Sequence, residues 1–373
     1  MDLSWPQVLA WRVRRHFLLR GADVGAVDVV RRLGGLQAQV ASAAELAVAA
    51  RTPAPTSGAV AAGLAARVLV KTWAMRGTLH VLPSDEAGAY LALLAAGRTW
   101  ERGAWQRTFL DARQMAAVAE AAVDALDAAV LTREELADAI LARTGDLALA
   151  EHLRSGWGAV LKPLAWQGVL CYGPSRDNLV TFTRPGSYLP GWHGLPDVDG
   201  AAPLVVERYL GAYGPATPAS FDDWLLRGAT PTSLLKGWFA ELATAGRLVT
   251  VTVEGERRFA RAKDVEEMAA PVPALPAALP VRLLPAFDQY VLGPGTKDPH
   301  LVAPARRGEV SRAAGWIAPV VVRSGRVVGT WEVADGAVRV AIFSEEEPVD
   351  AGAIRAEAAH LNPGLPVAVA RTA

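Results

Sequence analysis

Two glutamines stand two positions apart in the segment Gly34-Gly35-Leu36-Gln37-Ala38-Gln39, and the residues around them are otherwise apolar: Leu33, Leu36, Val40, Leu46 and Val48. A buried primary amide brings two N–H donors and an acceptor oxygen, and each group left unpaired costs about 1–3 kcal/mol. A single glutamine is an ordinary core or helix-cap residue. Two of them, flanked by glycines inside an alanine-rich helical pattern, predict a small polar site in a dry wall. An amide is neutral and cannot serve as a base near neutral pH. Its oxygen can accept from a water and can face developing positive charge.

Other reaction types lack their residues. The six histidines, His16, His80, His152, His193, His300 and His360, contain no pair at metal-ligand spacing, so no metal is expected. The sequence has no G-x-S-x-G elbow, no phosphate loop and no G-x-G-x-x-G opening a helix after a strand; Gly293-Pro294-Gly295 reads as a turn. No cofactor is expected. Cys171 is the single cysteine, which excludes a disulfide within the chain and a cysteine zinc site.

Two basic segments invite a polyanion. In Trp73-Ala74-Met75-Arg76-Gly77-Thr78-Leu79-His80 a hairpin turn carries Arg76, with Lys71 just before it and His80 just after. These side chains either reach phosphates or a damaged base, or are ordinary charges on a solvated wing. The stretch from Gly293 to Arg307 holds Lys297, His300, Arg306 and Arg307; it either enters a groove or is a plain surface loop. Phe287-Asp288-Gln289-Tyr290 reads as a structural polar network. Among the tryptophans, Trp157, Trp166, Trp224 and Trp238 fall at helical positions and read as core. Trp73 and Trp331 lie in strands and read as core or as stacking surfaces for bases.

The whole chain sets wider bounds. It has 373 residues, 51% of them hydrophobic, with 38 basic and 38 acidic side chains. That is enough for two or three cored domains and, at zero net charge, argues against a generic polyanion binder. The charge is uneven, however: residues 1–110 hold 13 basic against 7 acidic side chains, residues 111–165 hold 5 against 9. A locally basic lobe can still track phosphates. No charged-then-apolar leader and no apolar run of about 18 residues are present, so a soluble cytoplasmic protein without membrane contact is expected, most simply a monomer.

The elements that must position these residues recur in one order. Ser4 to Leu19 reads as a helix with Ser4 as cap and Pro6 in its first turn; residues 24–50 and 56–67 read as helical, followed by strands 68–75 and 77–82. Thr132-Arg133-Glu134-Glu135 is a capping box opening a helix through Leu141, a second helix spans Leu153 to Trp166, and strands 169–172 and 179–182 follow. A helix capped by Gly214-Pro215-Ala216-Thr217-Pro218 and running through Leu226, and a second from Pro231 to Ala245 with Thr230 as cap, then precede the hairpin 248–253/257–259, whose turn is Glu254-Gly255. Helix, helix, hairpin is the order of a winged helix. After a Pro/Ala linker (Pro271 to Pro280), short strands at 281–292, 320–322, 326–333 and 338–343 and a closing helix 349–361 suggest a small β-barrel. The expected fold class is α+β: tandem winged-helix modules at 1–110, 111–200 and 201–270, then a barrel-like domain at 271–373.

Together these pieces resemble a known family over nearly the whole chain: the winged-helix DNA glycosylases that unhook interstrand crosslinks, which include an azinomycin-resistance type. The resemblance rests on Arg15-His16-Phe17-Leu18-Leu19-Arg20, Leu36-Gln37-Ala38-Gln39, Met75-Arg76-Gly77-Thr78-Leu79-His80, Leu284-Pro285-Ala286-Phe287-Asp288-Gln289-Tyr290 and Gly325-Arg326-Val327-Val328-Gly329-Thr330-Trp331, in this order and spacing. It implies that Gln37 and Gln39 are the catalytic glutamine-x-glutamine motif, where a broader branch has glutamine-x-aspartate. It implies tandem winged helices and a barrel around a DNA channel, and double-stranded DNA carrying N7-alkylated guanine, as monoadduct or crosslink, as substrate. In some members the reaction protects an antibiotic producer from its own product. The competing expectation is a non-catalytic winged-helix DNA-binding protein, a regulator or a factor that only sequesters lesions; a structural scaffold is a third.

Overall fold

Helix ends in this chain form where their side chains can satisfy the backbone. In the computed structural model, which describes residues 1–21, 23–156, 158–270 and 281–372, Ser4 caps the helix Trp5–Arg15 and Gln7 closes the capping box, with Pro6 in the first turn. Thr132 and Glu135 do the same for Arg133–Thr144, and Asp111 with Gln114 for Ala112–Ala125. Each cap satisfies N–H groups that the helix itself leaves without partners. Trp157 and the Pro/Ala linker lie outside the described residues. The fold is mixed α+β, with several small sheets among helices. The chain packs as two compact units: residues 1–60, 206–224 and 239–373 form one, residues 61–205 and 225–238 the other.

The first unit is built from distant segments. The strand Asp2–Leu3 lies parallel to Leu248–Val253, which pairs antiparallel with Glu256–Arg261. The predicted two-residue turn is present, with Glu254 and Gly255 at φ 46° and 91°, the left-handed pair that a type I′ hairpin needs. The Glu254 carboxylate in turn accepts from the Trp5 backbone N–H at 3.1 Å.

The expected barrel is an open five-stranded sheet. Its order is Arg282–Leu284, Val320–Arg323, Arg326–Ala334, Ala337–Ile342 and Val367–Arg371. The first three pairings are antiparallel and the last is parallel. The two edge strands do not pair with one another, because the helix Ala351–Leu361 closes the apolar face instead: Ile354, Ala358 and Leu361 join the buried cluster with Leu283, Val320 and Val338. A sheet covered by a helix has no need to curl shut. The predicted strand 281–292 is likewise shortened. It stops at Leu284, Phe287 takes a left-handed φ of 59°, and Gln289–Leu292 is a short helix with Asp288 as its cap. The stretch 293–307 is no plain surface loop, for Leu301 and Val302 are each 1% exposed.

The second unit carries the hairpin Leu69–Trp73/Leu79–Pro83, in register from Leu69 opposite Pro83 to Trp73 opposite Leu79. It also holds a three-stranded sheet of Val130–Thr132, Cys171–Tyr172 and Thr181–Thr183, with Thr181–Thr183 in the centre. The single predicted helix 153–166 is two, Ala150–Arg154 and Leu161–Trp166; between them Gly158 sits at φ 62°, and a Cβ there would meet the Trp73 ring at 2.6 Å. The helix Ala87–Ala96, apolar on every side and buried from Ala87 to Leu94, shows no amphipathic period. Trp73, Trp166, Trp224, Trp238 and Trp331 are all buried.

Among the described residues, Arg51 and Asp288 form an ion pair with both side chains fully buried, in the first unit. The guanidinium donates to both carboxylate oxygens at 2.8 and 2.7 Å and to Ala47 O at 2.7 Å. Asp288 also accepts from the Tyr290 N–H at 2.8 Å. Removing one partner strands a charge in the core. Asp288→Asn is expected to lower unfolding stability by about 3–5 kcal/mol in urea titrations, and the double replacement Arg51→Met/Asp288→Leu to recover most of that loss.

Candidate active site

Gln37 and Gln39 do not lie in a helix. The predicted helix 24–50 is divided into Ala26–Arg32 and Ala41–Ala49, with the short strand Leu36–Gln37 between them. The two glycines cause the break. Gly34 and Gly35 have φ of 65° and 107°, and the Gly35 N–H turns back to Val30 O at 2.9 Å, a helix stop that a residue with a Cβ resists. The Tyr213 hydroxyl pins the turn by donating to Leu33 O at 2.6 Å. Beyond it the chain runs extended through Leu36–Gln37 and then bends at Gln39.

The two amides differ in burial. Gln37 is 7% exposed, and its Oε1 has no hydrogen-bond partner among the described residues. Gln39, in the bend before the helix Ala41–Ala49, is exposed. An acceptor oxygen buried without a donor costs about 1–3 kcal/mol and is rare enough in folded chains to require a reason. A water or a cationic centre would satisfy it.

Beside this turn the unit gathers arginines. Arg32, in the last turn of Ala26–Arg32, stacks on the Phe17 ring at 4.6 Å and donates to Arg15 O. Its pKa is pushed down to about 10 by burial and by the nearby Arg15 and Arg261. Burial lowers Arg15 likewise, with Arg261 adding repulsion and Asp264 opposing it. Like charges held together and half-desolvated are costly alone and favourable around an anion.

His16, from the motif that precedes this turn, is wholly buried between the edges of Tyr213 and Tyr290. Its Nε2–H donates to the Ala212 carbonyl at 3.1 Å, and Nδ1 has no partner among the described residues. Burial, then the charge of Arg51, hold its pKa well below the ordinary 6.5, so the ring is neutral. The Phe287-Asp288-Gln289-Tyr290 motif is the network expected of it. Sequence reasoning did not find its partner Arg51, because nothing in the spacing of an ion pair 237 positions apart announces it. Gln289 was read only within that network, yet it is 1% exposed with both amide atoms unpartnered among the described residues.

The remaining site residues lie in two places. Lys297, His300 and Arg306 share the first unit with the glutamines; Lys71, Arg76 and His80 belong to the second. Lys297 is exposed. His300 stacks on Trp5 with centroids 3.9 Å apart. Arg306 is held by Glu345, Glu309 and the Ser344 hydroxyl, so its charge is already matched. Lys71 stands 5.4 Å from the Tyr172 ring, its pKa lowered by burial. Arg76 occupies the hairpin turn at φ 57°. His80 is 0% exposed, bonded at Nδ1 to Thr78 O, and held by burial at a pKa of about 3. It is a neutral core side chain that offers no cation to a phosphate.

Both buried histidines have folded-state pKa values below the unfolded one. Their contribution is therefore complete above about pH 6.5 and is lost as pH falls, for His80 down to about 3. Stability should be flat from about pH 7 to 8 and fall by more than one proton's worth, about 1.4 kcal/mol per pH unit, between about pH 6 and 5. In thermal melts His80→Gln should remove roughly one proton from that slope.

The sequence profile of the AlkZ-like DNA glycosylases matches residues 30–363. The chain is 48% identical over 363 residues to a Streptomyces sahachiroi protein named interstrand DNA cross-link repair glycosylase, covering 97% of this chain and 96% of that one. The solved structure of Streptomyces sahachiroi DNA glycosylase AlkZ matches with a TM-score of 0.94 and 47% identity, over 99% of this chain and 100% of that chain. The chain belongs to the AlkZ-like DNA glycosylase family.

Proposed function

We propose that this glycosylase hydrolyses the N-glycosidic bond of guanine alkylated at N7 in duplex DNA, as a bulky monoadduct or as an interstrand crosslink, with Gln37 and Gln39 at the reacting centre. The unpartnered, buried Oε1 of Gln37 carries this reading, and the relative named for cross-link repair supports its crosslink part. In an organism that makes a DNA-alkylating product, the same reaction would serve as self-protection.

Alkylation at N7 leaves the base cationic, so it departs without a general acid. The C1′–N9 electron pair moves onto N9 and discharges the base. The oxygen of water bonds to C1′, and its surplus proton passes to solvent. The protein has to stabilise an oxocarbenium-like sugar and hold the water. Gln37 Oε1 presents the negative end of a fixed dipole to that charge, and Gln39, exposed at the bend, orients the water. Without a carboxylate to drive departure, intact purines, which are poor leaving groups, survive. A crosslinked base is not free to leave the stack, so a flipping pocket is not required.

The helix–helix–hairpin orders support reading residues 1–110, 111–200 and 201–270 as winged-helix modules, a class that sets a helix in the major groove, followed by the sheet domain 271–373. We assign the protein to the cytoplasm as a monomer that associates with the nucleoid when it meets damage. No described helix is long and apolar enough to cross a membrane. Arg15 and Arg32 join Lys71, Arg76, Lys297 and His300 as phosphate contacts; Arg306 and His80, whose polar groups are already matched or buried, contribute through packing.

On a duplex containing N7-methylguanine, treated with hot alkali to cleave at abasic sites, Gln37→Ala and Gln39→Ala are each expected to slow excision by about 10²-fold, with DNA affinity within about twofold of the parent. Full activity in both variants would remove the glutamines from the reaction. Affinity for the same duplex should fall steeply with salt, and Arg32→Ala should lower the log–log slope by about one. A salt-independent affinity would contradict the phosphate contacts.

A further inference from the structure

The residues that follow Gln39 form one wall of a cleft that the reaction described above does not use. Val40 caps the helix Ala41–Ala49, and Val40, Ala43 and Leu46 face Trp316, Pro319 and Trp331 across a space of about 360 Å³ in the first unit. The floor is rigid. Trp331 is 5% exposed, and its Nε1–H donates to Leu284 O at 2.8 Å. The lip is the opposite. Trp316 is 41% exposed, on a tight turn closed by the Ser311–Ile317 bridge and by the Arg312 N–H to Trp316 O at 2.8 Å. Ala314 and Gly315 at φ 54° and 74° give that turn its sharp reversal. The turn sets the Trp316 indole edge-on against Phe287, centroids 4.9 Å apart. Val333, half exposed, extends the apolar lip.

An exposed indole above an apolar cleft, beside a loop expected to hold a reacting sugar, is a binding surface rather than spare core. Polar side chains, Ser42, Arg312 and Glu332, complete the lining, and all three are exposed. A nucleobase carries donors and acceptors on its edges that the apolar walls cannot match, and desolvating them unpaired is costly. A flat hydrocarbon ring has none and gains from two indoles. We propose that this cleft is a subsite for an apolar aromatic appendage carried by the N7-alkylated guanine, and that it selects bulky aromatic adducts over small alkyl ones. The subsite rests on the N7-alkylguanine reading of Gln37 and Gln39, for it gives the loop its orientation to the lesion.

Binding tests it without requiring turnover. The probes are two duplexes, one with N7-benzylguanine and one with N7-methylguanine, each on a 2′-fluorinated sugar that resists loss of the base. The wild-type protein should bind the benzyl duplex about tenfold more tightly, since stacking on an aromatic side chain is worth roughly that factor. Trp316→Ala, at an exposed position that leaves the core intact, should bring the ratio to within about twofold of unity. Ser42→Phe, which fills the mouth, should do the same. A wild-type ratio near one overturns the subsite. So does a Trp316→Ala variant that weakens both duplexes alike, which would make the indole a stacking surface for ordinary bases. Excision of N7-methylguanine from an unfluorinated duplex is read separately: its absence with the affinity ratio intact counts against the proposed reaction alone, its presence without the ratio against the subsite alone.

Discussion

One fully desolvated ion pair holds the first unit in shape. Arg51 follows the helix Ala41–Ala49 that starts just beyond Gln39, and it grips Ala47 O on that helix while binding Asp288 with two hydrogen bonds. Asp288 in turn caps the short helix Gln289–Leu292. The candidate catalytic loop, the motif at Leu284 to Tyr290 and the first strand of the open sheet are thus tied at a single point. Neither charge has water to fall back on, so any movement that lengthens the pair pays the full cost of a naked buried charge. A second polar anchor works alongside: Glu357 of the closing helix binds Arg20 at 2.7 Å and Arg282 at 2.8 Å, joining the N-terminal motif to the same sheet.

That rigidity lets the unit tolerate polar groups it does not satisfy. Gln37 Oε1, His16 Nδ1 and both amide atoms of Gln289 are buried with no hydrogen-bond partner among the described residues. In a softer environment each would rotate toward a partner or drag in solvent. Here aromatic neighbours fix the His16 ring, and the glycine stop with the Tyr213 hydrogen bond fixes the backbone that carries Gln37. Local cost carried by an over-determined frame is what a preorganised site requires.

On the proposed reaction, a pair of uncharged amides is also a form of restraint. The departing base brings the positive charge, so the protein needs only to face it with oriented dipoles. A carboxylate at the same place would widen the range of bases that leave. Family membership, established by profile, sequence and structure together, makes the chain a DNA glycosylase and displaces the alternatives of a non-catalytic binder and of a scaffold.

Much of the local structure could be read from the chain, because caps and turns are short-range chemistry. Ser4, Thr132 and the Glu254-Gly255 pair each act on backbone within a few residues, and each forms what its side chain dictates. Gln37 and Gln39 stand out as candidates in the chain too, since paired amides in an apolar segment are unusual. What residue types could not convey was direction. A continuous helix through residue 50 would have turned residues two apart to different faces; two glycines ended it, and the short strand and the bend that follow bury Gln37 and expose Gln39. Long-range partners were equally invisible: Arg51 has no sequence mark pointing to Asp288, and no alternation along residues 281–343 says whether a sheet closes on itself or is covered by a helix. His80 and Arg306 were cations by type alone; packing buried one and matched the other with carboxylates. Residue chemistry decides what a side chain is able to do, and only the folded chain decides which water, charge or neighbour it meets.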